Sequence, residues 1–472
     1  MKILKDGKNN FYMNKKIRTK RIKKLINESF FYSIGQFLTK SISFFLISFY
    51  TRCFSPQEYG QLEIIINIVV LLVPFVSLNL QESVYRFCIE NKKEEIYILN
   101  VSLKLIIKEF IFLFFPVLIL GLIYEIKIFL VFLNVLFLTF FLSFKQFYRG
   151  TGKLKKYIVL DIYNEIIVFL FVILFCGFLK FGIKGVLYAR NLSLGIIIII
   201  LMVKNNVFSK MKLFTQETSL YREMILYSIP LIPNCVLWWI SNLSDRYFLS
   251  FFIGLSATGI YSVANKIPTI LNQVNLMLIK AWQTSAISEE KSNDFFQYDI
   301  KIFKLYYSIL SVFSSLLIVF NKKLLLLLIG EEFISAWKYI PLLILGFYFL
   351  SLASFAGVKY TVNKKTNKIL KSSLICAIVN IVLNFVLIPK FKIYGAVVAT
   401  TISYFLLFLI RYKENYFNNK IDLRLVAIII VLFLQVNIFI FNNNQIILIM
   451  MLLINIIICS ELFFNERKGR ND

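Results

Sequence analysis

Apolar residues are gathered into fourteen long runs, separated by short polar stretches. The runs fall at roughly 28–50, 61–84, 98–123, 127–147, 157–180, 183–203, 226–250, 259–281, 302–320, 339–358, 369–388, 393–411, 422–441 and 445–464. A helix of about 20 apolar residues crosses a hydrocarbon core about 30 Å thick. In lipid, a helix satisfies its own backbone hydrogen bonds. The pattern therefore predicts an all-α polytopic membrane protein with about 14 transmembrane helices. The third run is the least regular, because Lys104 and Lys108 interrupt it, and the ninth is followed by a further apolar piece, Leu324–Ile329.

Polar positions inside these runs are not scattered. In the seventh, Asn234, Trp238, Ser241 and Asp245 recur at helical spacing, and in the eighth Ser262, Asn265, Lys266, Thr269, Asn272 and Gln273 share one side. The first run carries Ser33, Gln36, Lys40 and Ser43 in the same way. Polar groups at membrane depth are costly unless they face protein or water. A hydrophilic cavity bounded by the first, seventh and eighth helices is the expected consequence.

Individual residues follow from that cavity. Lys40 lies about twelve residues into its run, or roughly 18 Å at 1.5 Å per residue, near the bilayer centre. It either faces the cavity or is held by a structural ion pair. Lys266 either faces the cavity or snorkels outward. Arg52 and Arg246 stand near the ends of the first and seventh runs, and Arg246 either meets the cargo, pairs with Asp245 or anchors to headgroups. Arg86 ends the second run on the cytoplasmic side, where it is either an ordinary interfacial arginine or a substrate contact. Asp161 and Glu165, four residues apart, are coupling-ion candidates for a proton or Na+, with a salt bridge to Arg190 as the other reading. Asn380 and Asn384 either hydrogen-bond a sugar or join helices. Pro230, Pro233 and Pro268 are conformational hinge candidates, since proline interrupts the helical ladder.

Charge sets the orientation. The formal charge is +27, which in a soluble protein would point to nucleic acid. Here the cations alternate between loops: ten of them lie in residues 1–27 alone. Alternate connections hold roughly 38 Lys/Arg and the opposite set about 10, the positive-inside asymmetry. Both termini are thus expected in the cytoplasm, in a bacterial inner membrane. The basic segment before the first run lacks a small-residue cleavage site, so that run should remain as an anchor. Six cysteines without a C-x-x-C pair, and no histidine, argue against zinc sites, disulfide frameworks and histidine-dependent catalysis. No cofactor or metal is implied.

The runs also repeat. Lys180, Phe181, Ile183, Gly185 and Ala189 match Lys390, Phe391, Ile393, Gly395 and Ala399 in register, six runs apart. Tyr32-Ser33-Ile34 matches Tyr227-Ser228-Ile229, and the turn Ser55–Gly60 is echoed by Ser256–Gly259. Two parallel six-helix lobes are expected, at 28–203 and 226–411. A basic cytoplasmic segment (1–27) precedes them, a linker (204–225) joins them, and a helix pair with a tail (412–472) follows.

Several of these pieces together resemble a known family. Pro230-Leu-Ile-Pro233, Ser244-Asp245-Arg246, Gly259 to Lys266, and Ala281-Trp282 look like the seventh and eighth helices of Wzx-type polysaccharide flippases. Thr51 to Gly60 and Asn380…Asn384…Pro389…Gly395-Ala396 extend the resemblance over most of the chain. These flippases share a superfamily with the lipid II flippase MurJ and the MATE multidrug exporters. The resemblance implies two bundles rocking about a central cavity. Its implied cargo is an undecaprenyl-pyrophosphate-linked oligosaccharide (O-antigen-like) repeat unit, carried between leaflets by alternating access. Substrate contacts at Lys40, Arg52, Lys266, Arg246, Asn380 and Asn384 would follow. The implied partners are the lipid-linked oligosaccharide, membrane lipids, a polysaccharide polymerase and glycosyltransferases, with no nucleic acid. Where MurJ-like members carry arginines in the first helix, this chain has Lys40, which cannot make a fork-like contact. A multidrug or cation exporter of the same fold and a membrane polysaccharide polymerase are the alternatives. The longest outer connection, about Asn321–Lys338, is short for a polymerase. The chain is not expected to be an enzyme.

Overall fold

The computed structural model describes residue 35 and residues 38–90, 94–123, 126–207, 218–290, 292, 294–363, 365–416, 422–441 and 444–468. Residues 1–27, Ser33, Gln36, residues 208–217 of the linker, Lys364 and Asn443 lie outside these. Every described element is a helix: α1 (38–53), α2 (Pro56–Val76), α3 (Leu80–Glu90), α4 (Glu95–Ile123), α5 (Ile126–Gly150), α6 (Leu154–Val172) and α7 (Gly182–Lys204). The second half holds α8 (Thr218–Ser228), α9 (Ile232–Phe252), α10 (Leu255–Glu289), α11 (Phe295–Leu328), α12 (Ile340–Val362), α13 (Thr366–Phe391), α14 (Ile393–Tyr416), α15 (Leu423–Phe441) and α16 (Gln445–Lys468).

Among the described residues, nine helices are long and apolar enough to cross a membrane, or ten if the bent α8–α9 pair is one span. This is fewer than the fourteen runs. Part of the difference has a plain cause: α10 is 35 residues long, but its polar stripe lowers its hydropathy.

Local chemistry explains where the helices start and stop. Ser55 caps α2 by accepting from the Glu58 amide, the Glu58 carboxylate accepts from the Ser55 amide at 2.9 Å, and Pro56 occupies the first turn. The 61–84 run, expected as one span, is broken at Ser77–Asn79. Leu78 and Asn79 there are both left-handed, with φ of 47° and 55°. Ser77 Oγ accepts from the Asn79 amide, and Asn79 Oδ1 accepts from Gln81, so the interrupted ladder finds side-chain partners. α6 closes in a π-helical turn, Ile173–Phe178.

The two copies of the repeat also share a positive φ. Gly182 and its in-register counterpart Lys392 are both left-handed, with φ of 58° and 53°, immediately before or at the start of α7 and α14. Each helix thus opens at or beside a residue of positive φ, with ψ of −129° at Lys392.

The most extensive helix pairs are α12 on α14 and α13 on α14, followed by α2 on α10. α3, α4, α5 and α7 pack on one another in the first half, and α12 packs on α10 and α14 in the second. The principal crossings between halves are α2 on α10 and α2 on α9. α11, α12 and α14 are further tied by Lys359, which meets Asp299 at 3.1 Å, with Tyr416 donating to the same carboxylate.

Candidate functional site

The α2–α10 crossing is a backbone contact. A Cβ on Gly60 would fall 1.9 Å from the Leu255 carbonyl oxygen, and one on Gly259 would fall 2.0 Å from that of Pro56. No side chain fits at either position, so the first turns of the two helices lie directly against each other. These are the two turns that the repeat made equivalent. A third such contact joins the end of α1 to the turn after α11. A Cβ on Gly330 would sit 2.1 Å from the Thr51 carbonyl oxygen, and the Gly330 amide donates to Thr51 Oγ1 at 3.1 Å. Tyr59 meets Phe333 edge-on across the same boundary, at 5.7 Å between ring centres.

This close approach brings Glu63 of α2 to Lys266 of α10. Lys266 Nζ lies 2.9 Å from Glu63 Oε1, Tyr59 donates to the same oxygen at 2.8 Å, and Arg246 Nε lies 3.5 Å from Oε2. Arg246 Nε also donates to Ser262 Oγ at 3.1 Å. One carboxylate from the first half therefore holds two cations from the second. Glu63 and Arg246 are almost wholly enclosed, whereas the Lys266 side chain keeps 27% of its surface exposed. The cluster carries a net positive charge in a low-dielectric setting.

Asp245, next to Arg246 in sequence, turns the other way. It accepts from Tyr261 Oη at 2.6 Å, from Thr400 Oγ1 at 2.9 Å and from Asn384 Nδ2, which donates to Asn380 as well. These four helices, α9, α10, α13 and α14, meet at one buried carboxylate. Among the described residues no lysine or arginine pairs with it, and Asn384 Oδ1 has no partner. Three neutral donors therefore satisfy this buried carboxylate.

The sequence-derived candidates are thus redistributed. Lys266 and Arg246 come together, but Arg246 pairs with Glu63 rather than with Asp245. Asn380 and Asn384 join Asp245 rather than standing free toward a sugar. Asp161 is engaged by Lys145, at 2.6 Å, and not by Arg190; the shorter reach from the neighbouring helix α5 decides this. Glu165 accepts from Ser43 of α1 at 3.2 Å and lies within the electrostatic reach of Arg190 and Lys40. Lys40 is exposed and forms no ion pair among the described residues, and Arg52 is exposed beside Gly330. Pro230 lies in a 3-10 turn, Ile229–Leu231, between α8 and α9, and Pro233 opens α9. A bend of 53° falls later, between Leu237 and Asn242. Pro268 sits inside α10 without breaking it. Glu63 escaped the sequence reading; an acid one turn beyond Gly60, inside an apolar run and facing a polar-striped partner helix, was the available signal.

A separate cavity of about 670 Å³ lies between α12, α14 and α15, walled by Leu345, Phe349, Ile402, Phe405, Ile429 and Phe433 among others. No charged side chain lines it, so it is no part of the ionic site.

With this geometry in place, residues 25–283 match the family model described as polysaccharide biosynthesis protein. The chain belongs to that family. No curated protein matches it. Among solved structures this polysaccharide-biosynthesis chain is similar to the lipid II flippase MurJ in an inward closed conformation. The TM-score is 0.68 at 15% identity, over 94% of this chain and 100% of that one. It is also similar to a multidrug resistance MATE transporter of the MOP superfamily in an outward-facing conformation, with a TM-score of 0.59 at 12% identity, covering 86% and 96%. A MOP superfamily transporter from Pyrococcus furiosus, described as having a binding pocket of reversed polarity, gives 0.57 at 14% identity, covering 86% and 96%. At these identities the likeness shows the fold: a multi-pass membrane protein of the MurJ and MATE type.

Proposed function

We propose that this protein is a flippase that moves undecaprenyl-pyrophosphate-linked oligosaccharide repeat units across the cytoplasmic membrane by alternating access, for surface polysaccharide. The observation that carries this reading is the pair Lys266 and Arg246, converging from α9 and α10 on one carboxylate at the crossing between halves. Family membership and the MurJ-like fold support it. A cationic cluster at that place suits the anionic diphosphate of the cargo, and Lys40 and Arg52 on α1 are further exposed cations. Asp161 is neutralised by Lys145, so Asp245 and Glu165 are the better sites for a coupling proton or Na+. Sugar contacts at Asn384 would require its bond to Asp245 to open, and contacts at Asn380 Oδ1 would compete with the bond it accepts from Asn384. The chain reads as two rocking halves with both termini inside, passing its cargo to a polymerase at the outer face.

Surface glycan made in a strain lacking the wild-type protein is the test. Lys266→Gln with Arg246→Gln should abolish it, Lys40→Gln should remove most of it, and Lys40→Arg should retain part, all at normal membrane levels. Full glycan from Lys40→Gln combined with Lys266→Gln would overturn the cationic site. Drug resistance conferred by the wild type without any glycan would favour the exporter. Orientation is checked by single cysteines in a cysteine-free background: Asn443→Cys should react with an impermeant thiol reagent from outside, and Lys364→Cys should not.

A further inference from the structure

Glu63 does something that a structural counter-ion need not do: it is the first half's only carboxylate on two second-half cations among the described ion pairs. It also stands one turn from the Gly60–Gly259 contact, and Tyr59, which donates to it, packs on Phe333. The ionic cluster and the backbone closure are therefore one assembly, made of α1 and α2 on one side and α9, α10 and the turn at Gly330 on the other.

We infer that Glu63 is a resident stand-in for the cargo's anion: a diphosphate ester that reaches Lys266 and Arg246 displaces its carboxylate, and that exchange releases the closure at Gly60–Gly259 and Thr51–Gly330. This rests on the flippase reading and adds a trigger to it. The charges favour the exchange. One carboxylate leaves two cations with a surplus of one, whereas a diphosphate diester brings about two negative charges and several acceptor oxygens. Lys266 is the more exposed cation, so the incoming anion meets it first. Once Glu63 is detached, α2 keeps no ionic tie to α9 or α10 among the described residues. What then remains at the crossing is uncharged: the glycine backbone contact, apolar packing around Tyr59 and Leu62, and hydrogen bonds from Trp239 and Tyr247 of α9 to the Asn67 and Ile64 carbonyls. A ligand shifts such an equilibrium only by binding one state better, and here the open state offers both cations to the ligand.

The test reads the closure directly. Thr51 is buried in it and accepts from the Gly330 amide. In a cysteine-free full-length chain in proteoliposomes, Thr51→Cys should be protected from an impermeant thiol reagent. Inorganic pyrophosphate should raise its labelling about tenfold, with sulfate at equal ionic strength giving no rise. Glu63→Gln should give the high labelling without any anion, and Lys266→Gln with Arg246→Gln should abolish the response to pyrophosphate. Phe333→Cys, buried against Tyr59, is the second probe should Thr51→Cys fail to fold. Labelling at both probes that ignores both pyrophosphate and Glu63→Gln overturns the trigger, and an equal response to sulfate does so too. These outcomes are separable from the fate of the flippase reading. Glycan exported by a chain whose closure never responds leaves transport standing and removes the trigger. A responsive closure in a chain that restores no glycan does the reverse.

Discussion

Gly395→Val is expected to remove nearly all folded protein from the membrane, whereas Gly185→Val, its partner in the repeat, should cost far less. A Cβ on Gly395 would lie 2.4 Å from the Leu387 carbonyl oxygen, 2.5 Å from its carbon and 2.7 Å from the Ile388 nitrogen. All three are backbone atoms of α13. Relief therefore requires α13 and α14 to separate, and these two helices share one of the most extensive contacts in the molecule. Overpacking of this kind costs on the order of 3 kcal/mol or more. At Gly185 the neighbours are the Cys176 Sγ at 3.0 Å and the Cβ atoms of Phe175 and Phe181 at 3.1 and 3.2 Å. These gaps ask for shifts of only a few tenths of an ångström, whereas those at Gly395 fall far inside contact distance. Melting temperature in detergent and the level of membrane-inserted protein give the comparison, with Gly195→Ala, in ordinary contact at 3.5 Å from Phe137, as the neutral control. Equal losses at 395 and 185 would show that the difference in neighbours is immaterial.

That pair of glycines also shows what the sequence could and could not convey. Both glycines lie in the first turn of their helices, α7 and α14, as the in-register motif expects. It said nothing of what each glycine touches, since that depends on how far the neighbouring helices have closed. The apolar runs likewise located the helices well, as water and lipid partition side chains by the same rule along the whole chain. The break at Ser77–Asn79 was hidden because serine and asparagine in an apolar run read equally well as a polar stripe. Ion pairing was the least legible feature. Arg190 was the partner the sequence suggested for Asp161, and the packing of α5 on α6 supplies Lys145 instead. Arg246 and Asp245 are neighbours in sequence yet serve different clusters, because adjacent residues on a helix point about 100° apart. Lys266 was recognised as out of place in an apolar helix, but its partner lay 203 residues away on α2.

Asp245 gives the other large effect, and its two substitutions should separate architecture from coupling. Asp245→Leu leaves Tyr261, Thr400 and Asn384 without the acceptor they share. Each buried donor left unsatisfied costs about 1–3 kcal/mol, so a total of roughly 3 kcal/mol or more is expected. This cost falls where α9, α10, α13 and α14 meet, and the melting temperature in detergent should drop accordingly. Asp245→Asn keeps the volume and one acceptor oxygen, so its melting temperature should stay much closer to that of the wild type. Where it must differ is in ion response. A carboxylate with no cationic partner, beside the unpartnered Asn384 Oδ1, offers oxygen ligands to a hard monovalent cation. Wild-type protein should therefore melt higher in sodium chloride than in choline chloride at equal ionic strength, because a ligand bound only by the folded state stabilises it by mass action. Asp245→Asn should lose that difference together with most glycan export. If the wild type shows no sodium shift while Asp245→Asn still exports nothing, the carboxylate carries a proton instead, and the pH dependence of export should then vanish in the same variant. Export at the wild-type level from Asp245→Asn would remove Asp245 from coupling altogether and leave Glu165, held by Ser43 on α1, as the remaining acid for that role.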